Sequence, residues 1–449
     1  MARLHGRLGL RALTLGLSTV FLLGCGGASS SGGGGSVSDV TVWTAWGGNE
    51  LKAFQDVLKP FEQNTGIKVH VTTNRDSTTQ IANGIAAGTD LPDIAPATTD
   101  PAQLKDWVSK GVIKPVETAL GSDFSTYVSN TYPGLVTPPA SMSGDDPYIG
   151  IIGGKHYYLM IKYQIKGLFW YNKKVFTGTA PKTWSDLLAI SPSQYGAQKL
   201  FCAGVESGAA SGWPASDDLD NIIMRQSGPD VYTKWIEGKQ KWTSPEIKQG
   251  YQALLQMVSG GAVYGGSNYV LSTNFAKAGD PLFKGTGGNK AGCLFLEQAT
   301  FQPSFFTQDF PDLKAGVDFD FFGHPSMGSS QFDGNYNGFY DNYAMYNDTP
   351  AARKLMAWMV TPQAQQIWAS SGVSLSSNKS TNYTDPVFKN AATVASTGTN
   401  MLVTAGDYMP TDMRNAYWKS LLDATNNPGN LDSILSHLDQ VQASAYQAS

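Results

Sequence analysis

Alternating strand and helix signals predict an α/β protein of two lobes. At 449 residues the chain exceeds one ordinary domain of roughly 100–200 residues. The stretch from Val40 to Ala95 reads strand, helix, strand, helix, strand, the order of a mainly parallel sheet covered by helices on both faces. Apolar residues make up 41% of the sequence, which is enough to fill large cores.

Taken in order, residues 1–24 carry Arg3, Arg7 and Arg11 and no acid, then an apolar run from Ala12 to Gly24. This is the build of an export signal, with an apolar stretch too short for a permanent span. The run ends Leu22-Leu23-Gly24-Cys25, which resembles a bacterial lipoprotein cleavage box with Cys25 as the lipidated residue; Leu23 is larger than the residue usual at its place. A plain secretory signal with an incidental cysteine is the alternative. Residues 25–38 then form a lipidated Cys and a flexible Gly/Ser tether.

Val40-Thr41-Val42-Trp43-Thr44 alternates as a strand and opens into a loop whose Asn49 is placed to cap a helix. Leu51, Phe54, Leu58 and Phe61 recur at helical spacing, Pro60 threatens a kink, and Gly66 stops the helix. Ile67–Val71 is a second strand and Leu91–Ala95 the start of a third. Further on, Gly167–Asn172 is an aromatic-rich strand, Pro181–Leu188 a capped helix start, and Phe319–Phe322 a strand leading into a glycine-rich return. Pro350–Ser371 reads as helix with a break at Pro362, and the tail from Asp412 carries helical patterns. In a parallel α/β sheet, ligands bind beyond the carboxyl ends of the strands. The loops holding Trp46–Glu50, Asn74–Asp76 and Thr98–Asp100 are therefore expected to converge.

Composition narrows the function. Thirty-two Lys and Arg against 36 Asp and Glu argue against a nucleic-acid binder, and removal of residues 1–24 leaves 29 against 36, near −7. Only 15% of residues are charged, against the usual ~25%, while 11% are aromatic, which suits a neutral polar ligand.

The succession VTVWTAWGGNELKAF, FEQNTGIKVHV, LPDIA, KGLFWYNKKVF, PKTWSDLLA and the 350–372 helix resembles the extracellular solute-binding proteins of bacterial ABC carbohydrate importers. Each fragment is weakly specific, but their joint order covers nearly the whole mature chain. The segment 202–235 resembles the α-glucoside and oligosaccharide branch. The resemblance implies a two-lobe periplasmic-binding-protein fold with hinge crossings, lobe one taking 39–165 plus 335–380 and lobe two 166–334 plus 381–449. It also implies a monomer with no cofactor. Its ligand would be an α-glucoside such as maltose, trehalose or sucrose, and its partner an ABC permease at the outer face of the cell membrane.

Sugars present C–H faces to indole and phenol rings and hydroxyl edges to acids and amides. On that chemistry the lobe-one candidates are Trp46, Asn49, Glu50, Arg75, Asp76 and Asp100. Their structural alternatives are core packing for Trp46, helix capping for Asn49 and Asp100, a solvated first-turn acid for Glu50, and mutual pairing for Arg75 and Asp76. In lobe two, Glu206 precedes Ser207-Gly208, and Trp213-Pro214 is followed by Asp217. Trp213 is the leading stacking candidate, and one of Asp217 and Asp218 is expected to cap a helix. Trp170 and Tyr171 share a strand whose alternation sends one inward. Glu297 is expected at a strand mouth, and Asp333, Tyr336 and Asp341 decorate the return crossing.

With Cys25 assigned to lipid, Cys202 and Cys293 remain, and in an exported protein they are expected to pair. The alternative is two free buried thiols. The competing class is a secreted glycoside hydrolase using two carboxylates; an adhesion module would not need so regular an α/β pattern. The five dispersed histidines form no HExxH, Ser207 sits one place too late for GxSxG, and Gly287-Gly288-Asn289-Lys290 is no phosphate loop.

Overall fold

The computed structural model describes residues 38–74, 77–132, 146–398 and 400–447. Cys25, Arg75 and Asp76, with the export signal and most of the tether, lie outside the described residues.

The opening strands form as their alternation predicts. Asp39–Thr44 (β1) buries Val40 and Val42 and pairs in parallel with Lys68–Thr73 (β2) and with Ile94–Ala95 (β3). Ile151–Ile152 (β4) and Lys155–His156 (β5) make a small hairpin. Leu159–Ile165 (β6) runs almost directly into Leu168–Asn172 (β7). Ala197–Cys202 (β8), Ala291–Gln298 (β9), Phe319–Gly323 (β10), Asn335–Met345 (β11), Leu375–Ser376 (β12) and Asn400–Val403 (β13) complete the set. A seven-stranded sheet has the order β12-β6-β11-β3-β1-β2 with β13 beside β11, and a four-stranded sheet the order β10-β7-β9-β8. These two sheets, flanked by helices, are the cores of the two lobes. Within residues 381–449, β13 belongs to the seven-stranded sheet.

The sheets are mixed, which corrects the expectation that each is mainly parallel. β11 runs antiparallel to β3 and β6, and β7 antiparallel to β9 and β10; β8 and β9 are parallel. The reason is connectivity: β6 leaves the large sheet for the small one and β11 returns, so the two run in opposite directions.

The first helix, Gly48–Thr65, buries Ala53, Phe54, Val57, Leu58 and Phe61. Pro60 lies inside it, yet the helix continues to Thr65 and ends at Gly66, which takes the left-handed conformation (φ 71°) that glycine adopts without steric cost. Gly47 occupies the cap position, so Asn49 falls within the first turn and does not cap. Thr183 and Asp186 form a reciprocal capping box on the Trp184–Ala189 helix. The 350–371 stretch divides into Pro350–Met359 and Pro362–Ser370, with Thr361 capping the second.

Cys202 and Cys293 form a disulfide between neighbouring strands β8 and β9, with Cα atoms 5.5 Å apart. Beside the four-stranded sheet the Trp213–Ser227 helix is buried on every side from Pro214 to Arg225 and packs against the helices Pro245–Val258 and Thr411–Asn426.

Candidate functional site

The site is built on β6. Side chains two apart on a strand share a face, so Lys162, Gln164 and Lys166 line up along one side. Asp341 and Phe339 of β11 stand directly opposite Lys162 and Gln164 and extend that face. Charged side chains cannot be buried alone without a large desolvation cost, and each lysine is accordingly partnered.

Lys162 is 1% exposed; its Nζ lies 2.5 Å from Glu50 Oε1 and 3.3 Å from Asp341 Oδ2. The same ammonium sits 4.6 Å from the Trp46 ring centroid and 5.8 Å from that of Trp368, within cation–π range. Trp46 Nε1 donates to Asp341 Oδ1 at 3.0 Å. Trp46 is 4% exposed and packs edge-on against Phe54 and Trp368. Burial pulls the Lys162 ammonium down, but Asp341 and Glu50 outweigh it and raise its pKa; Asp341 is itself raised, by burial acting against Lys162.

Four residues along, Lys166 Nζ is 2.6 Å from Asp217 Oδ1 and 5.3 Å from the ring centroids of both Trp213 and Phe339. Burial raises the Asp217 carboxyl to about 7 despite Lys166, with Asp407 adding to the rise. Its second oxygen, Oδ2, is buried without a hydrogen-bond partner among the described residues. Trp213 is half-buried, edge-on to Phe275 and Phe301. Its position follows from Gly212, whose φ of 104° and close approach to the Trp418 carbonyl leave no room for a Cβ. Between the two lysines, Gln164 Oε1 accepts from Thr300 Oγ1 at 2.6 Å.

The structure thus brings Trp46, Glu50 and Asp341 together around Lys162, and Trp213 and Asp217 around Lys166. Asn49 stands at the wall between the lobes, its Nδ2 donating to Ser304 O at 3.2 Å. Asp100 caps the Pro101–Ser109 helix through Ala102 N and Gln103 N and also accepts from Thr411 N and Oγ1. Trp170 is in the core, fully buried and donating to Gln298 O, while Tyr171 is half-buried against Phe176 and Phe322. Glu206 accepts from Gly208 N and Asn274 Nδ2, hydrogen bonds that lower its pKa. Neither Asp217 nor Asp218 caps a helix, because Gly212 holds that position.

Glu297 is buried at the carboxyl end of β9; neither carboxylate oxygen has a hydrogen-bond partner among the described residues, and His324 Nε2 is 4.0 Å away. Burial, then Asp218, push its carboxyl well up. Asp333 gives its backbone carbonyl to Arg225 Nη1 at 2.6 Å, and the Arg225 guanidinium lies 4.4 Å from the Tyr336 ring. These three residues surround the Trp213–Ser227 helix instead of the Lys162–Lys166 face.

Sequence reading missed Lys162, Lys166 and Trp368. The signal was present: a lysine inside the apolar run Leu159-Met160-Ile161-Lys162-Tyr163 has to be paired if that run is a buried strand. Among the described residues no group of three or more His, Cys, Asp or Glu is arranged to hold a metal ion.

Residues 46–366, which include both lysines and the whole four-stranded sheet, match the family of bacterial extracellular solute-binding proteins. The chain belongs to that family. This solute-binding protein is 28% identical over 407 residues to the alpha-glucosides-binding periplasmic protein AglE of Rhizobium meliloti, covering 88% of this chain and 84% of that one. It is 24% identical over 423 residues to the osmoprotective compounds-binding protein GgtB of Synechocystis sp., covering 91% and 94%. Its fold matches that of a chitin oligosaccharide binding protein with a TM-score of 0.71 at 18% identity, covering 92% of this chain and 100% of that one. As a member of an extracellular family the solute-binding protein works outside the cytoplasm. No helix among the described residues is long and apolar enough to cross a membrane.

Proposed function

We propose that this solute-binding protein captures an uncharged oligosaccharide of the α-glucoside type between its lobes and delivers it to an ABC permease. The observation that carries the reading is the β6 face, where two buried lysines each join an acid to an indole. Such a unit offers an aromatic face for sugar C–H groups beside oxygens that accept from hydroxyls. Asp217 Oδ2, without a partner among the described residues, and the half-buried Trp213 are the groups we assign to direct contact. Trp46, at 4% exposure, holds Asp341 and Lys162 in place. The name of the Rhizobium relative supports the α-glucoside class, and that of the Synechocystis relative supports a compact osmoprotective solute as the second reading.

Closure follows from the arrangement. A ligand touching both the Lys162 and Lys166 clusters makes its full set of contacts only when the lobes approach, so binding shifts the population toward the closed form. We read the site as non-catalytic: on the β6 face Glu50 and Asp341 share one lysine and Asp217 pairs with another, so these carboxyls are engaged rather than free to act as acid and base on a glycosidic bond. For attachment we propose a lipid on Cys25.

Calorimetric titration with maltose, trehalose, sucrose and a compact osmoprotective solute, with product analysis of the same samples, tests these readings. Micromolar heat with intact sugar is expected; sugar turnover would refute the binding reading, and heat from the compact solute alone would favour the second one. Trp213→Ala should weaken affinity at least tenfold, the loss of roughly 1.4 kcal/mol or more. Unchanged affinity would remove Trp213 from the site.

A further inference from the structure

Two connections link the two sheets, and a third carries the chain from the seven-stranded sheet to the C-terminal helices. The first runs from β6 to β7 through Lys166-Gly167, the second from β10 through residues 324–334 into the start of β11 at Asn335–Asn337, and the third leaves β13 through Thr404-Ala405. All three meet the polar side of the Trp213–Ser227 helix.

Asn221 meets the first two. Its side chain is pressed against Gly167, which has φ of 75° and no room for a Cβ, and its Nδ2 donates to Asn337 Oδ1 at 2.7 Å. Asp220 meets the second and third. Its Oδ2 accepts from Ala405 N at 2.7 Å and from Asn337 Nδ2 at 3.5 Å, while Oδ1 accepts from Tyr417 OH at 3.2 Å. Asp217 holds Lys166, and Arg225 holds the Asp333 carbonyl. The first and second connections are also bonded to each other, Lys166 N donating to Asn337 O at 3.0 Å.

Asp217, Asp220, Asn221 and Arg225 are all buried, and burying polar groups is unfavourable unless their partners are held in good geometry. Apolar side chains would pack this helix more simply. We propose that the Trp213–Ser227 helix is the pivot of lobe closure, with Asn221 and Asp220 as positioning residues that hold the three connections in register. The proposal rests on the closure reading given above. It accounts for polar residues that touch neither lysine cluster and for the glycine at the first connection. Loosening the pivot lowers the fraction of binding-competent protein, and apparent affinity falls by the same factor.

The test uses the full chain and the variants Asn221→Ala, Asp220→Asn and Tyr251→Phe. Tyr251, in the neighbouring helix, hydrogen-bonds Ser420 rather than any of the connections, so its variant reports the loss of one buried hydrogen bond. Small-angle scattering is recorded without ligand and with saturating maltose, and affinity and melting temperature are measured in parallel. Asn221→Ala and Asp220→Asn should enlarge the ligand-free radius of gyration and weaken maltose binding about tenfold, a typical coupling between sites, while Tyr251→Phe lowers only the melting temperature. If all three variants melt lower but keep wild-type scattering and affinity, the pivot is refuted. Should Asn221→Ala fail to fold, the isosteric Asp220→Asn decides between the two outcomes. If maltose leaves wild-type scattering and heat unchanged, the sugar reading fails, and the ligand-free comparison still tests the pivot.

Discussion

Asp217 carries two opposed influences that make it a sensitive residue. The Lys166 ammonium at 2.6 Å favours its charged form, yet burial outweighs that attraction and lifts the carboxyl from 3.8 to about 7. Between those values the folded chain binds a proton that the unfolded chain has released. Stability therefore falls as pH rises from about 4 to about 7. Wild-type protein should gain melting temperature on acidification from pH 7 to pH 5 relative to Asp217→Asn, which lacks that proton. Parallel melting curves for the two proteins across this range would show that Asp217 titrates normally. At the residue scale, Glu50, Trp213 and Asp217 stood out as candidates because they follow glycine-rich turns at the starts of helices. The run around Lys162 signalled only that a buried lysine needs a partner; where Lys162 and Lys166 point was not readable, because a strand buried on both faces gives no alternation.

Elements were more legible than their partners. Val40–Thr44, the Gly48–Thr65 helix and the break before Pro362 were readable from local rules alone, since alternation, apolar spacing and proline geometry act within a few residues. Pairing was harder: β6 lies next to β11, more than 150 residues away, and nothing local announces that the two run antiparallel. The disulfide between β8 and β9 was reachable only through the exported context and the count of cysteines. It closes a sequence separation of 91 residues, for which loop entropy gives a contribution of about 4–5 kcal/mol. Denaturant unfolding with and without a thiol reductant should show that loss, and Cys293→Ser should match the reduced protein. Equal midpoints in the two conditions would mean that the bond adds no stability.

At the scale of the whole molecule, the export signal and Gly/Ser tether proposed from the sequence would place a folded pair of lobes on a leash. If Cys25 carries lipid, full-length protein from its native membrane should partition into detergent, and Cys25→Ala should stay in the aqueous phase. Aqueous partitioning of both would leave export without an anchor. The two-lobe architecture was legible from chain length and strand order, but the mixed direction of its sheets was not, since direction depends on how often the chain crosses between lobes.

Those crossings govern when the protein can fold. β11 lies between β6 and β3 at the centre of the seven-stranded sheet, and it is made of residues 335–345. A nascent chain that has reached residue 330 owns both flanks of that sheet and nothing to join them. The seven-stranded sheet must wait until three quarters of the polypeptide exists, and contacts of such long separation form slowly. A chain whose large sheet is still open while it is being made can still be threaded through a narrow channel, which would suit the export proposed from its first residues.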